Sequence, residues 1–193
     1  MIKKAITALV VSTVTFTATL PIFAATEVYT VKRGDSLWYI SHKYQVGLPE
    51  ILEANPQLKD PAIIHPGNRI AIPLVDPTVL AMETEIITLV NKERAKYGLN
   101  PLAANWELSR VARYKSNDMR DADYFNHDSP TYGSPFDMMK SFGLAYKSAG
   151  ENIAKGQKTA AVVMEAWMAS DGHRRNILSA EVTEIGVGVS QSD

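Results

Sequence analysis

The chain has 193 residues, a formal net charge of −1 at pH 7 and no cysteine. Hydrophobic residues make up 46% and charged residues 21%, the balance of a globular protein with one large or two small domains. The near-zero charge gives no electrostatic basis for binding nucleic acid, and the lack of cysteine excludes disulfides, cysteine-ligated zinc and a thiol nucleophile.

Residues 1–24 have the pattern of a secretory signal peptide. Two lysines precede an uncharged apolar stretch, 5–20, which Pro21 ends. Small residues follow, so we predict cleavage after Ala24 or Ala25 and secretion of the mature protein. An uncleaved membrane anchor is the alternative, but the stretch is shorter than the about 20 apolar residues of a spanning helix. We expect no transmembrane segment in the mature protein.

Residues 27–73 are predicted to form a small unit with the order strand, helix, helix, strand. Alternating β-branched residues predict strands over 28–31 and 69–73. Apolar residues at helical spacing predict helices over 37–44 and 49–54. Asp35 or Ser36 can cap the first helix. We expect Leu37 and Trp38 to lie in the core of this unit.

This unit resembles a LysM domain. The resemblance rests on Gly34-Asp-Ser-Leu-Trp38, Leu52-Glu-Ala-Asn-Pro56 and Ile64-His-Pro-Gly67. It implies binding of peptidoglycan or another N-acetylglucosamine-containing glycan in a groove between two loops. The glycan contacts that it implies are Gly34, Asp35, Ser36, Leu37, Asn55, Pro56, Ile63 and Ile64. For each of these residues a purely structural role as cap, turn or core residue stays open.

Residues 74–82 are predicted to be a linker marked by prolines, and 83–193 a second unit. Capping residues and helical spacing predict four helices in this part of the chain, which begin near Val79, Asn105, Ser134 and Thr159. Alternation with glycines predicts a strand over 183–190.

Three segments of the second unit each place an ionisable residue among small, turn-forming or apolar neighbours: His127, Glu151 and His173. Two imidazoles and a carboxylate can bind a divalent cation such as zinc, or move a proton. A buried carboxylate needs a partner, so we expect Glu151 to meet His127, His173 or a metal ion. Structural hydrogen bonding is the alternative for all three residues.

Five motifs in order make the second unit similar to the bacterial branch of the CAP superfamily. They include Phe125-Asn-His127, Gly150-Glu-Asn-Ile153 and Gly172-His-Arg174. The resemblance implies an α+β fold, an α-β-α sandwich around an antiparallel sheet, with His127, Glu151 and His173 in a cleft. Some members bind divalent cations there, and the family shares no single reaction.

Two departures from the family pattern matter. Glu165 precedes Trp167, whereas many members carry a cleft glutamate after this tryptophan, so Glu165 is a weaker fourth candidate. Bacterial members usually continue into one more strand after the glycine-rich one. We therefore expect a C-terminally short sheet with an unpaired edge.

We expect a secreted protein whose LysM-like unit anchors a CAP-like unit to the cell wall or spore surface. A binding or assembly role, with envelope or coat proteins as partners, is the first hypothesis. The alternative is a metal-dependent hydrolase that acts on wall polymer or protein. The sequence contains neither Gly-x-Ser-x-Gly nor His-Glu-x-x-His, so no catalytic residue is assigned from a motif.

Overall fold

The computed structural model describes residues 6–14 and 23–192. Their contacts form two compact units, a smaller one over 23–77 and a larger one that combines 6–14 with 78–192. The elements in chain order are β1 (Ile6–Val14), β2 (Phe23–Thr30), α1 (Leu37–Tyr44), α2 (Leu48–Glu53), β3 (Arg69–Val75), α3 (Pro77–Lys96), β4 (Ala103–Ala104), α4 (Trp106–Asp121), α5 (Pro135–Ser141), β5 (Glu151–Asn152), α6 (Ala160–Ala169), α7 (Asp171–Ile177) and β6 (Glu184–Ser192). In these ranges no helix combines the length and the apolar character that crossing a membrane requires.

The smaller unit has the predicted order of elements. Strands β2 and β3 are antiparallel and pair from Thr30 opposite Arg69 to Phe23 opposite Val75. Ser36 caps α1, because its hydroxyl accepts a hydrogen bond from the backbone N–H of Tyr39 at 3.1 Å. The core consists of Tyr29, Val31, Leu37, Ile40, Val46, Ile51, Ile70 and Ile72.

Trp38 is not in this core, contrary to the prediction. Helix α1 turns Leu37, Ile40 and Ser41 inward, and Trp38 follows Leu37 by one residue, about 100° around the helix. Its side chain therefore lies beside the buried face and is 63% exposed.

The predicted linker over 74–82 is also corrected. Strand β3 continues to Val75 and α3 begins at Pro77, so only Asp76 separates the two elements. Proline has a fixed φ angle that suits the first position of a helix, and it needs no hydrogen-bond partner there. Pro77 consequently begins helix α3, whereas the sequence predicted that it lies in a linker.

The larger unit confirms the α+β class but not the antiparallel sheet. Its four strands have the order β4-β6-β1-β5, and all three pairings are parallel. Helices separate β4, β5 and β6 along the chain, and such crossovers allow neighbouring strands to run in the same direction. Helix α4 packs against β6 and β1.

The strand edge that was expected to be unpaired is covered in the structure. Strand β1 pairs with β6 over nine residues, from Ile6 opposite Glu184 to Val14 opposite Ser192. This strand comes from the apolar stretch of the predicted signal peptide. The two lysines before that stretch and Pro21 after it lie outside the described residues. Its isoleucine, valines and threonines suit a strand as well as a leader. The signal peptide itself stays a prediction.

Helix α4 lies unusually close to β6. A Cβ atom on Gly188 would lie 2.1 Å from the backbone C of Ala112 and N of Arg113, and one on Gly186 would lie 2.4 Å from the backbone of Leu108. Only glycine fits at these two strand positions, because a side chain would meet helix backbone.

Two buried arginines connect the helices of the larger unit to the rest of it. Arg113 donates two hydrogen bonds of 2.8 Å to Glu83 of α3, and Glu83 also accepts one from the backbone N–H of Val189. Arg94, which is 2% exposed, donates to the carbonyl oxygens of Asn100, Ile177 and Ser179. Each buried cation thus has several hydrogen-bond acceptors, as burial requires.

Candidate functional site

Asp118 of α4 organises the loop that carries His127. Its carboxylate accepts hydrogen bonds from the hydroxyl groups of Tyr124, Ser129 at 2.6 Å and Thr131 at 2.6 Å. Although burial acts in the opposite direction, these hydrogen bonds lower the pKa of Asp118. The Ser129 hydroxyl also accepts from two backbone N–H groups, so it builds the loop and is not placed as a nucleophile.

Lys115 of α4 also contacts the loop that carries His127. It is 1% exposed, and its ammonium group donates a hydrogen bond of 2.6 Å to the carbonyl oxygen of His127. Burial lowers the pKa of Lys115, while the charges of Glu151, Asp118 and Asp128 act in the opposite direction. This buried ammonium holds the backbone of His127 in place, and its positive charge offsets the negative charges of these carboxylates.

Glu151 is positioned by the backbone of β5. Asn176 of α7 donates hydrogen bonds to the carbonyl of Glu151 at 3.1 Å and to the side chain of Asn152 at 2.8 Å. A Cβ on Gly150 would lie 3.1 Å from this Asn176 side chain, which accounts for a small residue before the glutamate. Trp167 of α6 holds the next residue by donating to the carbonyl of Ile153.

His127 and Glu151 form a direct pair. Nδ1 of His127 lies 2.5 Å from Oε2 of Glu151; the glutamate side chain is 4% exposed and the imidazole 52%. Burial raises the pKa of Glu151, while the His127 hydrogen bond and the Lys115 charge oppose that shift. With its hydrogen on Nδ1 toward the carboxylate, the imidazole keeps Nε2 as an acceptor for a ligand or a proton.

His173 lies near this pair, in the first turn of α7. The helix dipole disfavours a cation at this end of a helix. Its Nδ1 atom is buried and has no hydrogen-bond partner among the described residues. Burial, and then the charge of His127, lower the pKa of His173.

We expect the NMR titration of His173 to have its midpoint below pH 6.5, the value of an unperturbed imidazole. Since the folded-state pKa is the lower one, His173 contributes stability that is present above about pH 6.5 and lost as the pH falls through the folded pKa. The variant His173→Gln assigns the resonance. A midpoint at or above 6.5 would contradict the buried placement of this ring.

Glu165, the weaker candidate, is not brought to the pair. Its side chain is exposed on α6, whereas Trp167, two residues later, is buried. Two positions on a helix differ by about 200°, so these side chains face different directions. Among the described residues, no hydrogen bond or ion pair joins Glu165 to His127, Glu151 or His173.

The described residues fit a metal ion poorly. They contain no group of three or more His, Asp or Glu side chains with the geometry to hold one. His127 directs Nδ1 to Glu151, so only its Nε2 is left for a metal. The unpartnered Nδ1 of His173 is the one observation in favour of a ligand there.

Two of the predicted glycan contacts in the smaller unit are corrected. Leu37 is 4% exposed and belongs to the core. Asn55 is 1% exposed, and its amide bonds the carbonyls of Ile51 and Ala71 and the N–H of Ala71. Its side chain therefore connects α2 to β3 and has no free group for a sugar.

The other predicted glycan contacts remain accessible to different extents. Gly34, Ser36, Pro56 and Ile63 are exposed, and Asp35 and Ile64 are half-buried. The carboxylate of Asp35 accepts from the Tyr29 hydroxyl and the Lys32 N–H, both at 2.7 Å, so it shapes the first loop.

A surface groove of about 490 Å³ lies in the smaller unit between the end of α2 and the start of β3. Its lining residues are Gln57, Leu58, Lys59, Asp60, Ile63, Asn68 and Arg69. Only Ile63 was among the predicted contacts. The sequence did not predict the other lining residues, because they belong mostly to a loop whose residues show neither helical nor strand periodicity.

Sequence reasoning also missed the role of Lys115. It occurs in the apolar stripe of α4 with Val111, Ala112 and Met119, all of which are buried. A lysine at such a position is itself a signal, because a buried ammonium requires acceptors from another segment.

Comparison with known proteins agrees with both units. A model of the Cysteine-rich secretory protein family, CAP, matches residues 87–193, and a LysM domain model matches 29–73. The chain is 60% identical over 115 residues to YkwD of Bacillus subtilis (strain 168), covering 60% of this chain and 45% of YkwD. Over 47 residues it is 43% identical to SpoIVD-associated factor A of the same strain, covering 24% and 12% of the two chains.

The crystal structure of an extracellular protein containing a SCP domain from Bacillus anthracis str. Ames superimposes with a TM-score of 0.58 at 32% identity. The match covers 64% of this chain and 43% of that one. The chain thus spans less than half the length of each of these relatives.

Proposed function

The chain belongs to the CAP family and carries a LysM domain before its CAP domain, and from this premise we propose that it is a secreted cell-wall-binding protein. The LysM domain holds peptidoglycan, or another glycan that contains N-acetylglucosamine, and keeps the CAP domain at the wall. The CAP domain has a binding or assembly role there. LysM domains in general bind such glycans, which supports the first step.

The observation that carries the proposal is the groove of the LysM domain. Ile63, which is 57% exposed, supplies an apolar surface, while Gln57 and Arg69 supply hydrogen-bond donors beside it. An acetamido group has a methyl and an amide side by side, so a mixed lining of this kind suits it.

Purified full-length protein should sediment with peptidoglycan, and the double variant Ile63→Ala, Arg69→Ala should sediment much less. Both side chains are exposed, so the variant is expected to fold normally. Loss of two contacts at the rim of a groove lowers affinity by about tenfold or more, because each 1.4 kcal/mol is a factor of ten.

Tyr97→Ala is the matched control, because Tyr97 is 59% exposed and lies outside the LysM domain. Its sedimentation should equal that of the wild type. Binding of the groove variant at wild-type level would remove the groove from the proposal. Absence of wild-type sedimentation would remove the anchoring role.

For the CAP domain we propose binding of an envelope or spore-coat protein at the surface around His127 and Glu151. The half-exposed imidazole offers Nε2 at the surface, while its other nitrogen and its backbone are fixed by Glu151 and Lys115. A preorganised acceptor loses little entropy on binding a ligand. The spore surface is proposed as one location because the chain is 38% identical over 47 residues to Spore coat assembly protein ExsA of Bacillus cereus.

A metal-dependent hydrolase is the alternative proposal, and the buried, unpartnered Nδ1 of His173 is its support. It requires a divalent cation to bind with an affinity that His127→Ala and Glu151→Ala both reduce. It also requires turnover of wall fragments that the same two changes abolish. Calorimetric titration with zinc alone, without substrate, separates this alternative from the binding role.

A further inference from the structure

The outer face of α1 carries an aromatic surface that the groove does not include. Trp38 is 63% exposed and Tyr39 is 52% exposed, and His42 lies one turn after Trp38. The opposite side of the helix packs into the core through Leu37 and Ile40. Trp38 and Tyr39 therefore face away from the interior.

This surface is held in place before any ligand arrives. The ring centroids of Trp38 and His42 are 4.0 Å apart with a tilt of 35°. Nδ1 of His42 lies 3.1 Å from the carbonyl oxygen of Trp38, and because a carbonyl only accepts, the imidazole donates this bond. A fixed indole loses less side-chain entropy when it is covered.

The chemistry of the face matches a sugar ring. One face of a pyranose presents C–H groups with partial positive charge, and an aromatic ring presents negative charge above its plane. Trp and Tyr also combine an apolar body with a polar N–H or O–H that can bond hydroxyl or acetamido groups. An aliphatic patch would offer contact area without these two features.

The surface is continuous along the chain with the first predicted glycan loop. Gly34 and Ser36 are exposed, and Ser36 caps the helix on which Trp38 occupies the second position. Along the helix axis Trp38 lies about 3 Å from Ser36, since helical residues rise 1.5 Å each, so a glycan strand long enough to pass around the N-terminal end of α1 contacts both.

We propose that Trp38, together with Tyr39 and His42, forms a stacking subsite for an N-acetylglucosamine unit of a longer glycan strand. The inference rests on the proposed function, because it extends the glycan binding of the LysM domain to the outer face of α1. It adds a specificity: longer oligosaccharides gain affinity from this subsite and short ones do not.

The test is calorimetry of the full-length protein with the hexamer and the dimer of N-acetylglucosamine. Trp38→Ala should weaken hexamer binding about tenfold, whereas Trp38→Phe, which keeps an aromatic face, should weaken it less than threefold, in the range for a stacked ring. Tyr39→Ala should have an intermediate effect, and Tyr97→Ala, an equally exposed aromatic outside the domain, none.

A second readout is fluorescence quenching by acrylamide. Of the three tryptophans, Trp167 is buried and Trp106 half-buried, so in a Trp106→Phe background the quenched signal comes from Trp38. Addition of the hexamer should protect it. Protection of the Trp106→Phe protein by the hexamer and not by the dimer would support the subsite, and equal quenching with and without the hexamer would contradict it.

The outcomes separate this inference from the function on which it rests. If the wild type binds the hexamer and Trp38→Ala binds it equally well, the subsite is refuted while glycan binding stands. If the wild type binds no hexamer, both are refuted. If Trp38→Ala abolishes self-association in sedimentation velocity and leaves sugar affinity unchanged, the face contacts a second copy and the subsite is again refuted.

Discussion

Gly188→Ala should lower the free energy of unfolding of the CAP domain by more than about 3 kcal/mol, or prevent its folding, because the added methyl cannot be accommodated. Its Cβ would lie 2.1 Å from backbone atoms of Ala112 and Arg113. Backbone atoms in the middle of α4 cannot rotate away as a flexible side chain would. The helix would have to leave β6, on which it packs. Urea unfolding monitored by circular dichroism measures the change.

Gly172→Ala is the matched control, since nothing lies within 4 Å of a Cβ at this position. Gly172 is in α7, where alanine is the better helix former, so the variant should be as stable as the wild type or slightly more so. Comparable stability of the two variants would contradict the close packing of α4 on β6.

Arg113→Ala should cost about 3–5 kcal/mol, the range for removing one partner of a buried ion pair. The side chains of Arg113 and Glu83 are 10% and 5% exposed, and two hydrogen bonds join them. Without the guanidinium, the Glu83 carboxylate stays buried with only the N–H of Val189 as a described partner. Urea unfolding at pH 7 gives the loss.

The pH dependence gives a second check on this pair. Burial already raises the pKa of Glu83, against the effect of Arg113, and removing Arg113 raises it further. A raised folded-state pKa favours stability below the unfolded value and loses that stability as the pH rises through the folded pKa. Arg113→Ala should therefore be less damaging at pH 5 than at pH 7.

The double variant Arg113→Met, Glu83→Gln tests the cause of the loss. Glutamine keeps an acceptor oxygen for Val189 and carries no charge, so most of the stability should return. Lys96→Ala, which removes an exposed pair with Glu93, should change stability little. Since methionine fills most of the volume of the arginine side chain, failure of the double variant to recover would mean that the loss comes from the hydrogen bonds of the guanidinium rather than from an unpaired charge.

The elements that the sequence predicted best are those with a local chemical signal. Asn105, Ser134 and Thr159 were expected to cap helices, and each accepts a hydrogen bond from the backbone N–H three residues on. Capping depends on a few neighbouring residues, so it can be recognised without knowledge of the fold.

The errors concern relations between distant segments. The stretch 6–14 satisfies the composition of a leader and of a strand, and its pairing with β5 and β6 could not be read from its own residues. Helical spacing predicted α1 correctly but not which residues beside its apolar stripe are covered, so Trp38 was misplaced. Asn55 looks like a turn residue, yet it is buried because Ala71 is close enough to bond its amide.

The candidate site of the CAP domain shows the same contrast: local chemistry was predictable, and contacts between distant segments were not. Burial costs predicted that Glu151 needs a partner, and the structure selects His127 from the three options. Lys115 and Asp118, which hold the loop of His127, could not be assigned because their acceptors and donors lie beyond the helix that carries them. Glu165 was placed by its distance from Trp167 in sequence, and helix geometry directs it elsewhere.

The hydrogen bonds between α4 and β6 also bear on the order in which the protein can fold. The hydroxyl of Ser116 donates to the carbonyl of Gly188, 72 residues later. The carboxylate of Glu83 accepts a hydrogen bond from the N–H of Val189, 106 residues later. Topologies with such distant pairings close slowly, whereas β2 and β3 of the LysM domain pair across a much shorter loop. During synthesis the LysM domain can therefore fold first, while α4 keeps unsatisfied polar groups until β6 has emerged.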